Sequence, residues 1–318
     1  ILVTGGAGFI GSHLVERLLA RGDRGVVLDD FNDYYTPALK RHNVSGVLEY
    51  ANYTLVEGDV RDLEVLKQVF HTHDVRRVVH LAARANARTS LRNPLLYETV
   101  NVRGTLNVLE ACRSQGVENL LMASSSSVYG NSSRVPFRED DPADRPISPY
   151  AATKRCAELL CYNFHHLYGI PMACFRFFTV YGPRQRPDMA FHLFARQIVS
   201  EETIRMFGDG STRRDYTFIS DIVDGLVSAL DRPQPFEIVN LGNTKTVELR
   251  RALELVQKAM KQEAKIERHP EQPGDVRLTN ADVSKAKRLF GYAPKVDVEE
   301  GMERFVEWFL KLREEGIL

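Results

Sequence analysis

The first eleven residues of the chain constrain its fold most strongly. They join a short apolar run, Ile1-Leu2-Val3, to a loop with glycines at positions 5, 8 and 11. Such a run is typical of a buried parallel strand. The apolar periodicity from Ser12 to Arg21, which stops at Gly22, predicts a helix after the loop. A strand, a glycine loop and a helix in this order are typical of the first unit of a Rossmann-type fold.

Each glycine of the loop has a separate task. Gly5 permits a tight turn, Gly8 lets a pyrophosphate approach the backbone, and Gly11 lets the helix pack closely. A second apolar run, Gly25–Leu28, ends in Asp29. An acidic residue about 20 positions past the glycines binds a ribose 2′-hydroxyl and repels a 2′-phosphate, so we expect NAD rather than NADP. A chance glycine turn is the alternative, and the correctly placed strand, helix and carboxylate disfavour it.

Tyr150 and Lys154 lie four residues apart, so they share one face of a helix. Ser148 and Pro149 are typical of a helix start, and Gly169 is typical of its end. A lysine ammonium beside a phenol favours the phenolate, so we expect Lys154 to lower the pKa of Tyr150. Next to a nicotinamide, such a tyrosine can move the proton of a hydroxyl group during hydride transfer.

The composition fits a globular enzyme that acts on small molecules. Forty-two basic residues balance 42 acidic ones, so nothing indicates a nucleic-acid or membrane partner. The four cysteines lack metal-binding spacing and are expected to be buried thiols in a reducing compartment. No apolar run is long enough to cross a membrane. We therefore expect a cytoplasmic protein without a bound metal.

Apolar, strand-like runs recur between helical stretches, at Tyr53–Val56, Val78–Ala82, Asn119–Ala123, Met172–Phe178 and Ile238–Leu241. This alternation predicts an α/β fold with a doubly wound parallel sheet and ligands over the carboxyl ends of its strands. We expect residues 1–178 to form an NAD-binding Rossmann domain, to which 217–243 returns. Residues 179–216 and 244–318 would form a smaller C-terminal α/β substrate-binding cap, with a ligand-contacting lid rich in glycine and arginine after Phe178.

Several segments resemble the extended short-chain dehydrogenase/reductases, which include sugar-nucleotide epimerases, dehydratases and decarboxylases. The resemblance spans essentially the whole chain, and the segments that carry it are Thr4–Gly11, Ser124–Gly130, Tyr150 with Lys154, Arg176–Pro183, Arg213–Ile219 and Gln272–Val276. Two narrower stretches, Phe31–Pro37 and Arg186–Ala190, resemble the UDP-glucuronate 4-epimerases in particular.

The resemblance implies a catalytic triad of Ser125, Tyr150 and Lys154. Ser125 would hydrogen-bond the reacting hydroxyl, although a serine at a strand end also satisfies backbone groups. The expected cofactor contacts are Gly5, Gly8, Phe9, Ile10, Gly11, Asp29, Asp59, Val60, Leu81, Ala82, Ala83, Tyr150 and Lys154. The expected substrate contacts are Arg88, Ser125, Ser126, Ser127, Tyr150, Thr179, Arg186, Arg214 and Asp275.

Some of these assignments have competing interpretations. Arg214 matches an arginine that grips the nucleotide diphosphate, but it could instead form a surface ion pair with Asp215 or Asp221. Asp275 matches a position near the uridine ribose. Asp59 could hydrogen-bond the adenine.

Two residues depart from the family pattern near the expected sugar site. Asn86 stands where the relatives carry glycine, and Arg84 replaces what is often glutamine. Both changes leave the fine substrate preference open, while the class of reaction is unaffected.

The segment before Val128 helps to choose the reaction. Dehydratases and decarboxylases of this superfamily typically carry an acidic residue there, and this chain has Ser126-Ser127. The expected outcome is therefore 4-epimerisation through a transient 4-keto sugar, with Thr179 and Arg186 favouring UDP-glucuronate and UDP-galacturonate. The alternatives are a UDP-glucose/UDP-galactose 4-epimerase and, less favoured, a UDP-glucuronate decarboxylase, an alcohol dehydrogenase or a non-catalytic NAD-binding regulator.

The resemblance also implies a homodimer. In this superfamily the helices that correspond to Pro94–Arg113 and Ser148–Tyr168 pair between subunits. These two helices carry more apolar surface than one buried face needs, at Leu95, Leu106, Leu109, Leu159, Leu160 and Phe164.

Overall fold

The computed structural model describes residues 1–270 and 277–318. In chain order its strands are β1 (Leu2–Thr4), β2 (Gly25–Asp29), β3 (Tyr53–Glu57), β4 (Arg77–His80), β5 (Asn119–Ser125), β6 (Met172–Phe177), β7 (Thr179–Tyr181), β8 (Ile204–Phe207), β9 (Arg213–Phe218), β10 (Phe236–Leu241), β11 (Thr246–Glu248) and β12 (Ile266–His269). The α-helices are α1 (Phe9–Ala20), α2 (Pro37–Ser45), α3 (Leu63–Thr72), α4 (Ala87–Arg92), α5 (Pro94–Tyr97), α6 (Gly104–Gln115), α7 (Pro149–Tyr168), α8 (Ala190–Val199), α9 (Ile219–Asp231), α10 (Leu249–Met260), α11 (Ser284–Phe290) and α12 (Val298–Glu314).

The largest sheet in the described residues has seven strands in the order β10-β6-β5-β4-β1-β2-β3. All of its pairings are parallel. Each of the seven apolar runs identified in the sequence forms one of these strands, so the predicted Rossmann-type α/β fold is confirmed. The run predicted to extend to Ala82 stops as a strand at His80, and the residues that follow form a loop at the carboxyl edge of the sheet.

Helices cover both faces of this sheet, because alternate strand residues point to opposite sides. Leu2 and Val26 pack on the side of α3, α6 and α7. Val3 and Val27 pack on the side of α1 and α9. This second core continues without a break to Phe305 of α12.

Two small sheets lie beyond the large one. In the first, β7 pairs in parallel with β9, and β11 pairs antiparallel with β9. In the second, β8 and β12 run parallel. Between β9 and β11 the chain forms β10, which belongs to the large sheet and pairs with β6. Within the described residues, no helix is long and apolar enough to cross a membrane.

The helix that carries Tyr150 forms as the sequence predicts. The Ser148 side chain accepts a hydrogen bond from the Ala151 amide at 3.2 Å, which caps the first turn of α7. Gly169 ends the helix in the left-handed conformation that favours glycine.

The prediction of one continuous α-helix from Pro94 to Arg113 is wrong for the middle of this segment. Residues Glu98–Arg103 form a π-helix between α5 and α6. Within this wider turn the Asn101 side chain accepts a bond from the Arg84 amide at 2.8 Å and donates to the Arg84 carbonyl at 2.9 Å. The wider turn is favourable because it lets the buried Asn101 side chain satisfy the backbone polar groups of Arg84.

A buried ion pair fastens α7 to the sheet. Arg176 of β6 donates two hydrogen bonds to Glu158 of α7, at 2.8 and 2.9 Å, and both side chains are almost fully buried. Ser124 of β5 donates a third bond to the same carboxylate at 2.6 Å. Burial alone would raise the pKa of Glu158, but the bonds and charge of Arg176 hold it below its usual value.

We expect Arg176→Met to lower the free energy of unfolding by about 3 kcal/mol, because it leaves a buried carboxylate without its main partner. The measurement is urea unfolding followed by circular dichroism. Arg155→Met is the matched control, since Arg155 contacts the same carboxylate from a partly exposed position and should cost less than about 1 kcal/mol. Equal losses in the two variants would contradict this account.

Candidate active site

One cavity lies over the carboxyl ends of the central strands. It is lined by every residue that the sequence predicts for cofactor binding: Gly5, Gly8, Phe9, Ile10, Gly11, Asp29, Asp59, Val60, Leu81, Ala82, Ala83, Tyr150 and Lys154. Of the residues predicted to contact substrate, Tyr150 and Arg186 also line it. The cavity therefore joins the glycine loop to the predicted catalytic tyrosine.

The glycine loop has the close packing that a dinucleotide cradle requires. Gly5 has a positive φ of 70°, and a Cβ on Gly11 would lie 2.3 Å from the Gly5 carbonyl oxygen. Gly8 precedes α1, and its position provides no side chain to cap the first amides of that helix. These amides and the helix dipole can therefore hold a pyrophosphate.

Asp29 lies at the end of β2 and lines the cavity next to the glycine loop. Its carboxylate accepts hydrogen bonds from the amides of Ala7 and Phe31, at 3.1 and 3.0 Å. Burial raises the pKa of Asp29, while the charge of Lys40 and the two amides oppose the rise. The Lys40 ammonium lies 3.9 Å from the carboxylate and also lines the cavity. Our sequence analysis missed Lys40, and the only signal was its position shortly after the Phe31–Pro37 stretch.

The two acidic residues after β3 have different positions. Asp62 caps α3 by accepting bonds from the amides of Glu64 and Val65, at 3.0 and 3.2 Å. Asp59 lines the cavity and accepts a bond from the Arg61 amide at 2.8 Å. Asp62 is therefore the cap of α3, and Asp59 stays a candidate for hydrogen bonding with the adenine.

The structure brings the three predicted catalytic residues together. The Ser125 side chain lies near enough to the Tyr150 hydroxyl to oppose a rise in the pKa of that hydroxyl. Lys154, one turn along α7, donates to the Ala123 carbonyl at 2.7 Å. Ser125 also accepts a bond from the Ser127 amide at 3.2 Å, so it satisfies a strand-end backbone group as well.

The expected effect of Lys154 on Tyr150 requires a correction. Burial raises the pKa of the Tyr150 hydroxyl, and the factors that oppose this rise are the nearby Ser125 side chain and the charge of Arg186. Burial also lowers the pKa of Lys154 to about 8. The cation that favours the phenolate is therefore Arg186. This contribution could not be predicted from the spacing of Tyr150 and Lys154 within one helix.

Arg186 is held in place by an ion pair with Asp188. Its Nε and Nη2 atoms donate to the two carboxylate oxygens of Asp188 at 2.9 and 3.1 Å. The guanidinium lies 5.9 Å from the centre of the Tyr34 ring. Asp188 therefore contacts the Nε and Nη2 atoms of Arg186 and does not contact its Nη1 atom.

The other described residues that were predicted to contact substrate do not line this cavity. Ser126 and Ser127 begin the short 3₁₀-helix Ser126–Tyr129 after β5. Thr179 pairs with Tyr216 across β7 and β9. Arg88 lies in the first turn of α4, with its guanidinium 5.9 Å from the centre of the Phe207 ring.

Arg214 and Asp275 complete the predicted set. Arg214 donates from Nη1 to the Arg213 carbonyl at 3.0 Å. Its suggested ion-pair partner Asp215 is fully buried and accepts bonds from the amides of Asn243 and Ala281, at 2.7 and 3.0 Å. Asp275 lies outside the described residues.

The comparison with known proteins agrees with this geometry. The family model described as GDP-mannose 4,6-dehydratase matches residues 2–305. This chain belongs to that family. The family is part of the extended short-chain dehydrogenase/reductases, as the sequence motifs predicted.

Individual members of the family give a finer comparison. A UDP-glucuronate 4-epimerase of Thermodesulfobacterium geofontis is 43% identical over 96% of this chain and 95% of its own length. The structure of UDP-glucuronic acid 4-epimerase from Bacillus cereus, in complex with UDP-glucuronic acid and NAD, has a TM-score of 0.92 and 35% identity, covering 98% of this chain and 99% of that one. A UDP-glucose 4-epimerase from Thermotoga maritima, solved with UDP-glucose, has a TM-score of 0.89 and 31% identity, covering 98% and 99%.

Proposed function

We propose that this protein is an NAD-dependent 4-epimerase that interconverts UDP-glucuronate and UDP-galacturonate. The observation that carries the proposal is that Tyr150, with Ser125 close to its hydroxyl, lines the same cavity as the glycine loop. UDP-glucuronate 4-epimerases are similar to this chain over nearly its whole length, both in sequence and in structure.

The side chains account for the proton transfers that such a reaction needs. Bound NAD supplies the reversible two-electron oxidation of sugar carbon 4. Tyr150 accepts the proton of the 4-hydroxyl and later returns it, while Ser125 holds the same oxygen. Lys154 is positively charged near neutral pH, because its pKa of about 8 still lies above 7. The keto sugar turns between the two steps, so the reaction has no net redox change.

The residues near Tyr150 favour epimerisation over the alternatives. The segment before Val128 supplies Ser126 and Ser127 and no carboxylate that could assist elimination. Arg186 lines the cavity, and a guanidinium binds a carboxylate with strong, directional bonds. A UDP-glucose/UDP-galactose 4-epimerase is the second candidate, because the T. maritima UDP-glucose 4-epimerase has nearly the same fold.

We also propose how the chain is organised and where it works. Residues 1–178 and 217–243 would bind the cofactor, because they supply the large sheet. Residues 179–216 and 244–318 would form the substrate-binding cap. The cysteines are free thiols, which supports a reducing compartment such as the cytoplasm.

Tyr150→Phe removes only the hydroxyl oxygen, so we expect folding and NAD binding to survive. Turnover should fall by about 10²–10⁴-fold, the usual contribution of a general acid/base. Lys154→Met should be nearly as severe. Tyr50→Phe is the matched control, because this tyrosine is exposed between α2 and β3 and does not line the cavity. Turnover is measured by NMR of the sugar anomeric protons, and a Tyr150→Phe variant with most of its activity would disprove the assignment.

The substrate choice is tested by incubating the purified protein with a panel of UDP-sugars and following the products by NMR. We expect UDP-glucuronate to be epimerised fastest, without added reductant. Arg186→Ala should cripple this activity while leaving NAD binding intact, because a charge-assisted bond to the sugar carboxylate is lost. Faster epimerisation of UDP-galactose by the wild type would instead support the second candidate.

We further propose a homodimer formed through α5, α6 and α7. The structure corrects part of the apolar surface that supported this expectation: Leu109 and Phe164 are buried, Leu106 and Leu160 are partly buried, and Leu95 and Leu159 are exposed. Exposed Leu91 and Tyr162 add to the outward apolar surface. A surface of this kind is typical of a protein interface.

Light scattering at micromolar concentration should give twice the chain mass of 36.1 kDa. Leu159→Glu should shift the protein toward the monomer, because it places a charge in the apolar interface. Leu48→Glu, at an exposed leucine between α2 and β3, is the control and should leave the mass unchanged. A monomeric wild type would disprove the proposal.

A further inference from the structure

Asp188, the carboxylate partner of Arg186, is held by two other segments of the chain. The Tyr34 hydroxyl, from the loop after β2, donates to Asp188 at 3.1 Å. The side-chain amide of Asn86, from the loop after β4, donates to the same carboxylate oxygen at 3.0 Å. Burial would raise the pKa of Asp188, but the charge and bonds of Arg186, with smaller contributions from the bonds of Asn86 and Tyr34, hold it below its usual value. The lid is therefore attached to both loops beside the cavity.

Asn86 has a second set of contacts that fixes its own position. Its Oδ1 atom caps α4 by accepting bonds from the amides of Arg88 and Thr89, at 3.0 and 3.3 Å. Its carbonyl accepts a bond from the Tyr97 hydroxyl at 3.1 Å. The Tyr97 ring in turn packs edge-on against Tyr150, with ring centres 6.3 Å apart. Asn86 is thus connected to Tyr150 through Tyr97.

We propose that Asn86 is a positioning residue for Arg186 and acts through Asp188. Its amide holds the Asp188 carboxylate, and that carboxylate occupies one edge of the guanidinium. The opposite side of Arg186 is thereby aimed at a constant place beside Tyr150. This inference rests on the proposed function, in which Arg186 binds the acidic group of the sugar.

The proposal has a consequence for substrate preference. An acidic sugar gains from a guanidinium held in one orientation, whereas an uncharged sugar does not need that orientation. Weakening the contact between Asn86 and Asp188 should therefore reduce binding of UDP-glucuronate more than binding of UDP-glucose. Binding of UDP alone should not change, because UDP carries no sugar for Arg186 to bind.

Asn86→Asp isolates the contact. The new carboxylate keeps the oxygen that caps α4 but replaces the donor to Asp188 with a repelling acceptor. We expect the affinity and kcat/KM for UDP-glucuronate to fall about tenfold relative to UDP-glucose, the size typical of coupled polar neighbours. The measurements are titration calorimetry with the NAD-loaded protein and NMR-monitored turnover.

Asn93→Asp is the matched control. Asn93 caps α5 through its side-chain oxygen, as Asn86 caps α4, and it lies outside the residues that line the cavity. The same chemical change there should leave both affinities within about twofold of the wild type, as for surface substitutions in general.

A further variant separates positioning from direct repulsion of the sugar. Adding Asp188→Asn to Asn86→Asp restores one donor and one acceptor between the two side chains with the original net charge. If Asn86 acts through Asp188, the double variant recovers part of the lost preference. If the new carboxylate only repels the substrate, it recovers none and the proposal is wrong.

Two remaining outcomes are also decisive. Should Asn86→Asp unfold, Asn86→Gly makes the same test, since the positive φ of 78° at this position suits glycine. An unchanged ratio of UDP-glucuronate to UDP-glucose affinity in the folded variant overturns the inference alone. A wild type that prefers UDP-glucose overturns the proposed function instead.

Discussion

The placement of the proposed catalytic residues depends on the buried bond between Glu158 and Arg176. This pair joins α7 to β6, and Ser124 joins the same carboxylate to β5. Glu158 lies one helical turn after Lys154 and two turns after Tyr150. An ion pair that is desolvated on all sides tolerates little displacement, because moving either partner exposes an uncompensated charge to an apolar core. The helix therefore presents Tyr150 to Ser125 in a fixed register.

One part of the cavity surface, here called the floor, is tightly packed backbone. The other part, here called the wall, is formed by several segments that are distant in sequence. The floor consists of the glycine loop and the strand ends, where backbone packing leaves no room for larger side chains. The wall is held by polar contacts that converge on Asp188 and on the backbone of Ala85, which accepts bonds from the hydroxyls of Tyr34 and Tyr97. The end of the cavity at the glycine loop is therefore shaped mainly by close packing, and the end at Arg186 mainly by hydrogen bonds.

This division explains which features could be predicted from the sequence. Strands, the glycine turn and the caps of α7 follow from local patterns, and the structure places each of them as expected. The contacts of Asp188 connect positions 34, 86, 186 and 188, and no local pattern indicates that these positions meet. The sign of the shift in the Tyr150 pKa also depends on burial and on Arg186, which is distant in sequence. Long-range contacts of this kind need coordinates.

The π-helix at Glu98–Arg103 has a consequence for the phase of the helix that follows it. A π turn contains about one residue more than an α turn, so every later residue is rotated by roughly 100° from its place on an uninterrupted helix. This offset explains why Leu95 is exposed whereas Leu109 is buried. A homologue that lacked one residue in this turn would therefore present a different stripe of α6 to the solvent, even with an otherwise unchanged sequence.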